Sequence, residues 1–100
     1  MRIWHTNELL LRLDQIFTSG ITTITNKELS LWYDAERIGK TVWRDIHTRW
    51  TALMTEHKSG VEVPLLVGWG DYRWVFVYGE GLQTNGSWLQ DIREKGGVNI

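Results

Sequence analysis

GKTVWRDIHTRWTALMTEH, residues 39–57, carries the strongest periodic signal in the chain. At about 100° per residue, Val42, Trp43, Ile46, Trp50, Leu53 and Met54 fall within a wedge of about 120°, so the spacing predicts an amphipathic helix over 40–57. Gly39 precedes it. The opposite face carries Lys40, Thr41, Arg44, Asp45, Thr48, Ala52 and Thr55, mostly small and polar, with Arg44 in its N-terminal half. Two readings of that face stand side by side: the solvated side of a core helix, or a surface that touches a partner.

Upstream, Leu9, Leu10, Leu13, Ile16 and Phe17 recur at three- and four-residue steps, which predicts a first helix capped by Thr6 or Asn7 and stopped by Gly20. Ile21 to Thr25 are all β-branched and predict a short extended segment. Thr25-Asn26-Lys27-Glu28 matches a capping box, in which the threonine hydroxyl and the glutamate carboxylate satisfy each other's backbone amides. A second helix is therefore expected from Asn26, with Leu29, Trp32 and Tyr33 toward the core and a turn over Asp34 to Arg37.

Downstream of Lys58-Ser59-Gly60 the period changes to two. A two-residue loop at Gly70-Asp71 would place Trp69 opposite Tyr72, Val67 opposite Trp74, Leu65 opposite Phe76 and Val63 opposite Tyr78, all on one face. The other face, with Pro64, Leu66, Gly68, Arg73, Val75 and Val77, is itself partly apolar. Gly79 to Gly86 reads as loop, and Ser87 as the cap of a short helix carrying Trp88, Leu89 and Ile92, ended by Gly96-Gly97.

One hundred residues suffice for one domain spanning 1–100 that buries a core without disulfides, and 42% apolar with 23% charged residues is the balance of a globular chain. No cysteine is present, which excludes disulfides, thiol nucleophiles and cysteine zinc sites, and fits a cytoplasmic location. No run approaches the roughly 18 to 20 apolar residues of a membrane span. His5, His47 and His57 have no helical three- or four-residue spacing, no nucleophile elbow or glycine-rich phosphate loop is present, and no catalytic, metal or cofactor site is expected. The formal charge of −1 argues against binding nucleic acid by bulk electrostatics. Residues 37–49 are nevertheless locally basic, with Arg37, Lys40, Arg44 and Arg49 against Asp45. The seven tryptophans include Trp69 and Trp74, which with Tyr72 crowd the expected hairpin tip as candidate partner anchors.

Helix, short strand, capped helix, long helix and hairpin is an order that resembles the winged helix-turn-helix superfamily over about residues 7–79. The local core of the resemblance is Thr25-Asn26-Lys27-Glu28-Leu29 followed by Gly39-Lys40-Thr41-Val42-Trp43-Arg44-Asp45-Ile46. It implies an α+β fold of three helices, a β-hairpin and a short C-terminal helix, with the third helix in a DNA major groove and the hairpin near 61–79 as a wing. On that implication Lys40, Thr41, Arg44, Asp45 and Thr48 face DNA, with Arg44 the best base reader, and Arg73 approaches from the wing. Asp45 would accept from a cytosine amine or pair with Arg44, Arg49 or Lys40. The expected function is a sequence-specific DNA-binding regulator, with dimerisation doubling the phosphate contacts of one neutral module. The alternative is a small protein-binding module or inhibitor from a phage or mobile element, acting through Trp69, Tyr72 and Trp74.

Overall fold

A computed structural model describes residues 1–57, 66–70, 73–79 and 90–97. Its helices are α1 (Ile3–Ser19), α2 (Asn26–Tyr33), α3 (Lys40–His57) and α4 (Ile92–Lys95); its strands are β1 (Ile21–Thr25), β2 (Leu66–Gly70), β3 (Arg73–Tyr78) and β4 (Gln90–Asp91). The strands form one antiparallel sheet in the order β1-β3-β2-β4. Among the described residues no helix is long and apolar enough to cross a membrane.

α1 begins earlier than its apolar rhythm suggests. The first helical bond runs from the Thr6 amide to the Arg2 carbonyl at 3.0 Å, and Arg2 occupies the N-cap without a side-chain bond. Ile3 and Trp4 are exposed there, so that first turn leaves no mark in a pattern that records only burial. Gly20 ends the helix as expected, its amide donating to Ile16 at 2.8 Å.

The capping box forms as read: the Glu28 amide donates to Thr25 Oγ1 at 3.1 Å, and the Thr25 amide donates to Glu28 Oε1 at 3.0 Å. The other carboxylate oxygen, Oε2, takes a 2.7 Å bond from Arg12 of α1, whose second amino group donates to the Thr23 carbonyl. One glutamate thus joins the start of α2 to α1 and to the end of β1. Burial tends to raise its pKa, yet the Thr25 amide and the Arg12 guanidinium outweigh that and hold it below the ordinary carboxylate value.

Leu9, Leu13, Ile16, Leu29, Trp32, Val42, Trp43, Ile46, Trp50 and Met54 meet Ile24, Leu66, Trp74, Phe76 and Ile92 in one buried cluster drawn from all four helices and three strands. Of the predicted α3 wedge, only Leu53 is less than fully covered. Trp43 joins helix to sheet, its ring edge-on to Trp74 with centroids 4.6 Å apart.

The hairpin register differs from the expected one. Gly70 lies opposite Trp74, Trp69 opposite Val75, Gly68 opposite Phe76 and Val67 opposite Val77. This is a slip of three residues, and an odd slip moves one strand's side chains to the other face. Trp74 and Phe76 accordingly share the inner face with Leu66, Gly68 and, across β1, Ile24 and Thr22, whereas Val67 and Trp69 lie on the outer face. The connection is three residues rather than two between paired positions, and a Cβ at Gly70 would fall 2.0 Å from the Arg73 carbonyl oxygen, so only glycine closes it. Val63, Leu65 and Tyr72 of the expected face lie outside the described residues, as do Ser87, Trp88 and Leu89. The described final helix is capped by Asp91, which accepts from the Arg93 amide at 2.9 Å, so its start is at Ile92 rather than at Ser87.

Candidate nucleic-acid interface

The polar side of α3 is bordered by two structures. Along one border runs the end of α4. Gly96 packs so closely that a Cβ there would lie 2.8 Å from both Cα and N of Arg44, and its carbonyl accepts from Arg44 Nε at 3.0 Å. Gly97 lies against the Lys40 stem. Further along, His47 is half-buried; burial and the nearby Arg93 push its pKa below the ordinary imidazole value, while Asp91 acts in the other direction. It is therefore neutral near pH 7 and adds no charge to the helix face.

Along the other border Asp45 is engaged internally. Its Oδ2 accepts from the Tyr33 hydroxyl at 2.7 Å and from Arg49 Nε at 2.8 Å. Tyr33 is held well above its ordinary pKa, first by burial and then by this bond to a carboxylate, so it stays a donor. This corrects the placing of Asp45 on a surface that reads bases: of the partners weighed, Arg49 holds it, and Tyr33 completes the pairing. Arg49 is correspondingly less available than its sequence position implies.

Between the borders Lys40, Thr41, Arg44 and Thr48 are exposed, continued by Ala52 and Thr55. The Thr48 and Thr55 hydroxyls donate back to the carbonyls of Arg44 and Thr51, at 2.9 and 2.8 Å, leaving methyl groups and acceptor lone pairs outward. Such a strip is shallow enough for close approach. Arg44 keeps Nη1 and Nη2 unengaged by the described residues, because only Nε is used on Gly96. Those two nitrogens can still donate side by side to the N7 and O6 edge of guanine.

The hairpin residues part company with this strip. Arg73 is exposed, but it stands opposite Thr25 at the turn end of β3, on the outer sheet face, away from the inner face on which Trp43 packs. β1 runs beside β3 as far as Arg73, so the described hairpin does not extend past its neighbouring strand. Trp74, expected at an exposed tip, is 8% exposed and packed against Trp43 and Phe76, which removes it as a partner anchor. Trp69 is half-buried, and Tyr72 lies outside the described residues.

Among the described residues, an exposed aromatic that sequence reasoning passed over is Trp4, 58% exposed, with Ile3 and Leu11 at 73% and 62% also on α1. Its signal was available: Trp4 and Leu11 are seven residues apart, on the side of the helix away from the Leu9, Leu13 and Ile16 row. Comparison of the chain with protein-family models, curated proteins and solved structures gives no match.

Proposed function

We propose that the chain is a sequence-specific DNA-binding protein of winged helix-turn-helix type, a transcriptional regulator, that sets the exposed strip of α3 into a major groove. The observation that carries this reading is the strip itself: Lys40, Thr41, Arg44 and Thr48 stand exposed on one side of an 18-residue helix whose other side is buried. Two further facts support it. The element order through β3 and the strand order β1-β3-β2 agree with that architecture. The first two turns of α3 also carry Lys40 and Arg44 outward, while the acid among them, Asp45, is neutralised by Arg49.

In this mechanism Arg44 reads guanine through Nη1 and Nη2 while Gly96 holds the side chain by Nε, which reduces the entropy lost on contact. Lys40, at the helix start, meets phosphate. Thr41 and Thr48 let the backbone come close, and their methyl groups suit the thymine methyl. Arg73 and the hairpin contribute less than the resemblance implies, because Arg73 lies on the outer sheet face, opposite the face that packs on α3. A second copy, docked through the exposed α1 residues Ile3, Trp4 and Leu11, would double the contacts. α4 is unsuited to that role because Ile92 is spent inside the core.

The test is a salt titration against duplexes selected from a random pool. Affinity should fall steeply with salt, and Arg44→Ala should cost about 1 to 3 kcal/mol on the selected site while relaxing its preference at one base pair. Absence of duplex binding at low salt, or an Arg44→Ala variant that binds like the parent, would defeat this reading.

A further inference from the structure

A solvent-open cleft of about 320 Å³ lies between α2, the α2–α3 connection, α3, β3 and α4. Small-molecule sites run from roughly 300 to 1,000 Å³, so it is large enough for a compact ligand. Trp43 and Trp74 line it, and Lys95 Nζ lies over both rings, 4.7 Å from the Trp74 centroid and 5.1 Å from that of Trp43. Attraction to the ring faces offsets part of the ammonium's lost hydration, but not all, since burial still draws its pKa down. Among the described residues no carboxylate pairs with Lys95. Arg37 stands on the same wall and Glu36 is the acid beside it, so the lining carries two cations against one anion. Ile38 adds an apolar wall, and the Ser30 hydroxyl is committed to the Ala35 carbonyl.

We propose that this cleft binds a small organic carboxylate with a flat apolar body, its carboxylate against Lys95 and Arg37 and its body against Trp74 and Ile38. The anion supplies a counter-charge that no described carboxylate gives Lys95, and it accepts the ammonium's hydrogen bonds better than ring faces do. An inorganic anion would leave the indole and isoleucine walls wet; an uncharged aromatic would leave the ammonium uncompensated. The site is separate from the exposed strip of α3 and is tested without DNA.

Phenylacetate titrated into the ¹⁵N-labelled protein, followed through the indole N–H signals, is the direct experiment, with phenylacetamide as its uncharged match. The expected result is saturable movement of the Trp43 and Trp74 signals, with affinity about tenfold weaker for phenylacetamide and about tenfold weaker in Lys95→Met, while Lys95→Arg retains binding. No saturable shift at millimolar phenylacetate, or an equal response to the amide, overturns the proposal. So does Lys95→Met binding as the parent does; should that variant fail to fold, the acid-against-amide comparison in the parent protein decides alone.

Discussion

Replacing Gly96 with alanine sets two physical effects of opposite sign against each other. Gly96 has φ −82° and ψ −4°, a conformation any residue adopts, so by backbone entropy alone alanine would stabilise the protein by about 0.4 to 1 kcal/mol. The added methyl, however, would lie 2.8 Å from Cα and from N of Arg44, closer than carbon atoms pack, and both obstacles are backbone in the middle of a helix turn. Neither can rotate aside. Relief must come from moving α4 away from α3, which loosens Ile92, now fully buried, and lengthens the 3.0 Å bond from Arg44 to the Gly96 carbonyl. Overpacking of this kind costs about 1 to 3 kcal/mol, so the clash wins and the net change is a loss of about 1 kcal/mol, read as a fall in Tm of about 4 to 8 °C for a domain of this size. Thermal unfolding followed by circular dichroism measures it, and the Arg44 Nε–H resonance reports the contact independently. An unchanged or higher Tm would show that Gly96 does not pack against the Arg44 backbone as described.

Trp74→Ala separates a core residue from a partner anchor: it should lower unfolding free energy in urea by about 3 to 5 kcal/mol, whereas a solvent-facing ring at a hairpin tip would leave stability nearly unchanged. Glu28 provides a pH signature. Its folded pKa is depressed below 4.5, so its contribution is fully present above that value and is lost as pH falls through the lower folded one. Glu28→Gln should therefore be less stable than the parent at neutral pH, with the gap closing in acid; a gap that is constant across pH would mean that the Arg12 and Thr25 contacts do not depend on the carboxylate charge.

Local signals were legible wherever one residue's chemistry suffices. Thr25 and Glu28 declared the start of α2 because the capping box is a contact between neighbours in sequence, and Gly20 declared the end of α1 in the same way. The α3 wedge was legible because burial on one side leaves a 3.6-residue rhythm, and every member of it is buried or partly buried. The hairpin register was not, since Val67 and Trp69 alternate as regularly as Leu66 and Gly68, and either set reads as an inward face. What chose between them was the room beside β2: a Cβ at Gly68 would already lie 3.2 Å from the Phe76 ring and 3.5 Å from Ile92 of another element, space for glycine on the inner face and none for Trp69. The same limit applies to the candidate interface: Lys40, Thr41, Arg44 and Thr48 were readable as a solvent-facing row, while the withdrawal of Asp45 required knowing that Tyr33 and Arg49 converge on it.

The amino-acid order alone thus determined where α2 and α3 form, that Ile21 to Thr25 are extended, and which side of α3 is apolar, because those properties arise from neighbours within one or two turns. Only the folded chain decided which side of β2 joins Trp74 and Phe76 beneath α3, that Trp74 is core, and that α4 lies beside Arg44 and borders a cationic, tryptophan-lined cleft. These depend on contacts between residues far apart in sequence, 52 positions for Arg44 and Gly96, and no local pattern records a distance of that kind.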